Sequence, residues 1–331
     1  MARALLSLAA VTAVSLVSAF STDVYPPKPD EFYSSVPENK TSSSDNIVGG
    51  PLPIPFPLSD FTITAGLTQN TYCYDENNTP GVKVDDNTDL WSLGADSFAD
   101  RITIYHSPSL GIVMAYMGTN ASNSASEFEN SQLELIPSDP AVGLPLGALV
   151  LKGFNDLFVS SWEPYVKPAL YQVKGSYPDL PIFMTGHSQG SGTAQLTAMA
   201  IAKEFGPDSI SKVITYGPPR AGNIFWADAF DAVFNGRYAG VTNGNDWVSD
   251  WPPLLSGYEH PSGMVWINPA NSTNYQFYPD QEDLNGIDSR IPELIDPTTG
   301  TTYWGDHQGI YMHSWIGVYL YGPCPGQIGG Y

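Results

Sequence analysis

Apolar positions along the chain fall into short strand-like runs alternating with helix-like stretches. Leu180-Pro-Ile-Phe-Met-Thr185 has the length of a buried strand. Ser191 to Phe205, rich in small residues and stopped by Gly206-Pro207, reads as the helix that follows it. Phe61 to Tyr74 has helical spacing. Arg101 to Tyr105 and Gly111 to Tyr116 predict a hairpin-like pair of strands across the turn at Ser107-Pro108-Ser109. Val150 to Val173 predicts a long helix interrupted at Pro164 and Pro168. Tyr177-Pro178-Asp179 then turns the chain into the strand ending at Thr185, and Val213 to Tyr216 and Tyr238 to Thr242 predict two further strands. Strands alternating with helices predict an α/β fold with a central, mostly parallel sheet flanked by helices. Loops at the carboxyl ends of its strands are then where a site belongs.

The N-terminal part breaks this pattern. Arg3, an apolar run from Ala4 to Val17 and the small-residue site Val17-Ser18-Ala19 predict a signal peptide over 1–19 and a mature chain starting near Phe20. A membrane anchor fits less well, because the run is short and is interrupted by Ser7, Thr12, Ser15 and Ser18; no other segment has the length to span a bilayer. Residues 20–57 are rich in Pro, Ser, Asp and Asn without periodicity, which predicts an extended tail or wrap, or a removable pro-segment. Residues 58–331 remain as a single domain, and 42% apolar content is enough to fill its core.

Secretion agrees with other features. Sequons at Asn39, Asn77, Asn120 and Asn271 predict glycan acceptors. Cys73 and Cys324, an even pair, predict one disulfide, with two buried thiols as the alternative. A net charge of −21 argues against nucleic acid and against electrostatic adhesion to anionic membranes. Two cysteines and five scattered histidines have no metal-ligand spacing, so no metal is expected.

Chemistry concentrates at Gly186-His187-Ser188-Gln189-Gly190, a G-x-S-x-G motif between the strand and the helix described above. A serine on so sharp a turn leaves no room for Cβ atoms on neighbouring segments, hence the glycines. A serine hydroxyl needs an imidazole to accept its proton and an acid to orient that imidazole, in the chain order Ser, Asp, His for this motif. Asp246, just past a strand end, is the expected acid, and Asp250 its rival, a turn former or helix cap by default. His106 and His187 read as structural and His260 as a buried hydrogen-bonding residue. That leaves His307 in the polar turn Gly305-Asp306-His307-Gln308-Gly309, favoured over His313 in the apolar run Ile310 to Ile316. The developing oxyanion needs donors: the Gln189 amide by position, and Thr119, which follows the strand ending near Gly118.

These stretches together resemble the fungal class 3 lipases, α/β-hydrolases that include secreted triacylglycerol lipases and feruloyl esterases. The likeness is strong over 111–256 and weak at the ends. Met114-Ala-Tyr-Met-Gly118-Thr119 is similar to the family's oxyanion strand, and Lys152-Gly153-Phe154 to the start of its helix before the elbow. Thr215-Tyr-Gly-Pro-Pro-Arg220-Ala-Gly-Asn223, Thr242-Asn243 through Asp246 with Trp251-Pro252-Pro253, and Asp306-His307 with Tyr311 are similar to further family segments. The resemblance implies Ser188 as nucleophile, Asp246 as acid, His307 as base, Thr119 and Gln189 as oxyanion hole, no cofactor, and a lid over about 120–130. Departures are Gln189 where leucine is usual, Met117 where arginine is common, and the spacing after His307. The expected activity is that of a triacylglycerol lipase, hydrolysis of lipid esters through an acyl-enzyme, with contact at the lipid–water interface. The polar segment 120–130, whose single large apolar residue is Phe128, keeps a soluble-ester or feruloyl-type esterase open. An inactive binding scaffold and a peptidase are the readings from other classes.

Overall fold

A computed structural model describes residues 51–94, 100–119, 131–293, 306–317 and 322–331. The expected signal peptide, the extension as far as residue 50, Asn39, Asn120 and the expected lid lie outside the described residues. The sheet strands are β1 (Lys83–Val84), β2 (Asn87–Leu93), β3 (Ile102–Ser107), β4 (Gly111–Tyr116), β7 (Ile182–His187), β8 (Ile210–Tyr216), β9 (Tyr238–Asn243), β10 (Met264–Ile267) and β11 (Tyr275–Tyr278), hydrogen-bonded in that order. The intervening β5 (Leu135–Pro137) and β6 (Leu149–Leu151) form a separate pair, as do β12 (Gly309–Tyr311) and β13 (Ser314–Ile316).

From β4 to β10 neighbouring sheet strands run parallel, and antiparallel strands extend the sheet on both sides. Every residue of β4, β7 and β9 is buried, as a parallel sheet covered on both faces requires. One face packs α2 (Lys152–Ser161), α4 (Gln189–Phe205) and α5 (Ile224–Phe234), through Phe154, Phe158, Leu196, Ile201, Trp226 and Phe230, against Met114, Met184 and Val213. The other face carries α1 (Leu58–Asn70) and the β12–β13 hairpin, with Phe61, Ala65, Tyr311 and Ile316 against Ile214, Val241 and Ile267. Each large apolar side chain buried in these layers contributes about 1.5–3 kcal/mol.

Two local readings of the sequence change. Val150 and Leu151 belong to β6, and the helix starts at Lys152; the apolar run continues across that boundary, so no change of period marks it. The interruption expected at Pro164 is a wide turn at Trp162–Val166, whereas Pro168 sits in the first turn of α3 (Lys167–Ser176) and does not interrupt it. Strands β2, β10 and β11 and helix α5 have no sequence counterpart above. Pro57 precedes α1, and the hydroxyls of Thr64 and Thr68 on its buried side reach Tyr216 and Thr185 at 2.7 and 2.9 Å. Cys73, just past this helix, is joined to Cys324 with Cα atoms 5.5 Å apart, as the even pair predicted.

Candidate active site

Strand β7 ends at His187 and α4 begins at Gln189, so Ser188 makes the whole reversal, at φ 56° and ψ −132°. A non-glycine residue keeps a positive φ only where its surroundings hold it there. Here a Cβ on Gly186 would lie 2.5 Å from the Gly190 carbonyl oxygen, and one on Gly190 would lie 2.2 Å from that of Met117. Only hydrogens fit at both positions, and strand ends and helix start close tightly around the serine. Ser188 N–H donates to the Tyr216 carbonyl at 3.0 Å, and the Ser191 hydroxyl, 2.9 Å from the Gly186 carbonyl, fixes the first helical turn. Ser188 is thereby half-buried at the N-terminus of a 17-residue helix, whose end favours negative charge. The Gln189 amide is the first of that helix.

Beyond β4, Met117, Gly118 and Thr119 run over the same point. A Cβ on Gly118 would sit 2.8 Å from Ser188 Cβ, which puts the loop carrying Thr119 against the serine.

Asp246 follows β9 and is fully buried. Its carboxylate caps the short helix Trp247–Asp250 by accepting Val248 N–H at 2.9 Å. His307 Nδ1 donates to both of its oxygens, at 3.0 and 2.9 Å, and the Tyr311 hydroxyl donates at 3.3 Å. Burial alone pushes this carboxyl up, but the charge and hydrogen bond of His307 and the Val248 amide hold it below the usual carboxylate range. A Cβ on Gly217 would meet Asp246 Oδ2 at 2.7 Å and His307 Cε1 at 2.9 Å. Since Gly217 follows Tyr216, the acceptor of Ser188 N–H, the acid–imidazole pair sits beside the elbow. An imidazole held by Nδ1 on a buried carboxylate leaves Nε2 as the basic nitrogen, the tautomer that deprotonation of a hydroxyl demands.

The rivals are employed otherwise. Asp250 pairs with Arg290 at 3.0 Å, and burial holds its carboxyl up at about 6. Arg290 also donates to the carbonyls of Gly244 and, at 3.3 Å, of Asp246, bracing the acid loop from beneath. His313 occupies the β12–β13 turn at φ 68° and its Nδ1 lies 2.8 Å from the Tyr331 carbonyl. The run around it is thus a hairpin rather than one packed element. His260 is buried, donates Nε2–H to the Ser249 carbonyl at 2.6 Å, and is pushed down to about 4, chiefly by burial. His106 stacks on Tyr177 with centroids 5.0 Å apart.

Several residues around the site left no sequence signal. Asn271, read as a sequon, turns its side-chain oxygen inward to accept Ile310 N–H at 2.7 Å, pinning the strand that follows His307. Asn243 donates to the Asp306 carbonyl at 3.1 Å, and Asp306 accepts Asn245 N–H at 2.7 Å, so the histidine segment and the acid loop are stitched together. Tyr72, past the end of α1, packs in the same cluster as Tyr311 and reaches His187, the residue before the serine. Among the described residues no group of three or more His, Cys, Asp and Glu is arranged to hold a metal ion, and no helix is long and apolar enough to cross a membrane.

The chain is also similar to known proteins. The family described as Lipase (class 3) matches residues 113–256. The secreted mono- and diacylglycerol lipase 3 of Gibberella zeae is 46% identical over 301 residues, 90% of this chain and 92% of that protein. A secreted mono- and diacylglycerol lipase of Malassezia globosa is 35% identical over 85% of this chain and 90% of its own length. Among solved structures, lipase II from Rhizopus niveus superposes with a TM-score of 0.64 at 22% identity, covering 79% of this chain and 96% of that one.

Proposed function

Because this chain belongs to the class 3 lipases and is a serine ester hydrolase of that family, we propose that it is secreted and cleaves the ester bonds of mono- and diacylglycerols through Ser188, His307 and Asp246. The observation that carries this reading is the buried Asp246–His307 pair beside a serine held at positive φ, in a chain 46% identical over 90% of its length to a mono- and diacylglycerol lipase.

In the proposed reaction His307 Nε2 takes the Ser188 proton as Oγ attacks the carbonyl carbon, and the oxyanion forms against the amides of Gln189 and Thr119 at the positive end of α4. The imidazolium gives its proton to the departing glycerol oxygen, leaving an acyl-enzyme. Water, deprotonated by the same imidazole, then releases the fatty acid. Neither step calls for a cofactor.

Export rests on residues 1–19 as a signal peptide, with 20–57 as an extension before a single catalytic domain; the Cys73–Cys324 bridge suits an oxidising compartment. Asn39, Asn77, Asn120 and Asn271 are the proposed glycan acceptors. Contact with a lipid surface would use exposed apolar side chains around one three-segment bridge. Val150 pairs with Gly222 and Gly222 with Glu259, and within four residues of these along the chain stand Leu146, Phe225 and Leu255, the first and last fully exposed.

The test is hydrolysis of monoolein, diolein, triolein, p-nitrophenyl acetate and methyl ferulate by the mature protein, with Ser188→Ala as control. Ser188-dependent turnover fastest on the partial glycerides is the expected result. Faster cleavage of methyl ferulate or acetate would make the protein an esterase, and activity surviving in Ser188→Ala would overturn the assignment of the nucleophile.

A further inference from the structure

We propose that Tyr72 and His187 form a positioning bracket that sets the catalytic imidazole loop and the oxyanion loop at a fixed separation; the inference rests on the role of Ser188 given above. His187, the buried last residue of β7, precedes the serine, and its Nε2 lies 2.8 Å from the His307 carbonyl oxygen. A carbonyl can only accept, so Nε2 carries the hydrogen. In a neutral imidazole Nδ1 is then a bare acceptor, and the Tyr72 hydroxyl 2.6 Å away must donate to it. With its proton committed, the same hydroxyl accepts Gly118 N–H at 3.0 Å.

Every member of the line from the Gly118 amide through Tyr72 and His187 to the His307 carbonyl thus has one possible hydrogen-bond sense. His187 stays neutral, pushed down to about 3 by burial first and by the neighbouring His307 second. Its ring lies against that of His307 with centroids 4.5 Å apart and planes 27° apart, a neutral face beside the ring that becomes charged during turnover.

Geometry leaves the line little slack. A Cβ on Gly118 would fall 2.3 Å from the Tyr72 hydroxyl and 2.8 Å from Ser188 Cβ, so the glycine is gripped between bracket and nucleophile. Arg101 donates to the carbonyls of Thr71, at 3.0 Å, and of Cys73, holding the backbone on both sides of Tyr72. The Gly118 amide, directed at Tyr72, is not an oxyanion donor, which leaves that task to the amides further along the loop and at the start of α4. His187 therefore positions the base through its main chain, while Asp246 positions it through its ring.

The experiment measures kcat, KM and the pH profile of kcat/KM on p-nitrophenyl butyrate for Tyr72→Phe, His187→Gln and His187→Asn, with active fraction counted by the end-point p-nitrophenol burst from diethyl p-nitrophenyl phosphate. Tyr72→Phe keeps the ring and loses only the hydroxyl. A fall in kcat of about tenfold or more, with KM within about twofold and a displaced acid limb of the profile, is expected. His187→Gln, whose amide can still donate toward the His307 carbonyl, should retain more kcat than His187→Asn, whose amide cannot reach it. Wild-type kcat and pH profile in Tyr72→Phe, a loss proportional to the lost active fraction, or equal kcat in the two His187 variants would each overturn the bracket. Should Ser188→Ala retain activity, the nucleophile assignment fails; should Ser188→Ala be inactive and Tyr72→Phe normal, the bracket alone fails.

Discussion

Replacing Asp246 by asparagine changes no volume, yet the hydrogen bonds around it predict a nearly inactive protein. Oδ1 accepts Val248 N–H at 2.9 Å, and Oδ2 faces both His307 Nδ1 at 2.9 Å and the Tyr311 hydroxyl at 3.3 Å. If the amide keeps its oxygen toward Val248, its NH2 takes the place of Oδ2, the nearer of the two oxygens to His307 Nδ1 at 2.9 against 3.0 Å, and makes Nδ1 an acceptor. The proton then moves to Nε2, which can no longer take one from Ser188. The flipped amide restores the correct tautomer but sets NH2 against Val248 N–H, leaving a buried donor unpaired at about 1–3 kcal/mol. That difference favours the wrong tautomer by about 5- to 150-fold, and loss of the carboxylate that stabilises the imidazolium compounds it. The same substitution in a serine-protease triad lowers kcat about 10⁴-fold, and a fall of that order is expected here. Turnover of p-nitrophenyl butyrate, measured beside the thermal unfolding midpoint, tests this. The midpoint should move little, because the favoured amide orientation keeps the Val248 cap. A kcat within about tenfold of wild type would refute the tautomer reasoning.

Two further outcomes are expected. Cys73→Ser combined with Cys324→Ser should lower stability by about 2–4 kcal/mol in urea unfolding, because the bridge closes a loop of 251 positions in the unfolded chain; a loss below about 1 kcal/mol would mean that the unfolded chain is not constrained by it. His260, at about 4 in the fold against 6.5 when exposed, binds fewer protons folded than unfolded, so its contribution is complete above pH 6.5 and is lost as pH falls toward 4. Thermal unfolding of His260→Gln should therefore depend less steeply on pH across that window than wild type, by up to about 3 kcal/mol, and an unchanged slope would show that His260 is not held neutral. Asp250 and Asp306, raised to about 6, act in the opposite sense and are common to both proteins.

Local signals carried the elbow and the central strands into view, because a buried strand followed by a small-residue helix announces itself within about twenty residues. Ser188 and Asp246 could be singled out since each lies just after a strand end, and His307 because it stands in a polar turn ahead of β12. The antiparallel flanks were harder: Asn87-Thr-Asp-Leu-Trp-Ser-Leu93 alternates only loosely, and β10 and β11 span four residues each, too short for a period. Tyr72, Asn271 and Arg290 act across as many as 115, 39 and 46 positions of sequence through a few hydrogen bonds each. Such contacts have no periodicity, and their residue types are equally at home in loops. Asn271 shows the ambiguity directly, since one tripeptide fits both a glycan acceptor and a half-buried pin for the histidine hairpin.

The bridge between Cys73 and Cys324 has a consequence for the covalent topology of the molecule. It turns everything between them into one closed ring, and Thr119, Ser188, Gln189, Asp246 and His307 are all members of that ring. A single cut of any peptide bond within it, including one in residues 120–130, yields two pieces that remain tied through sulfur, so the sheet order and the site keep their partners at unit local stoichiometry. A nicked molecule would migrate as one species on a denaturing gel without reductant and as two with it, and the protein can survive a first proteolytic event as a two-chain molecule.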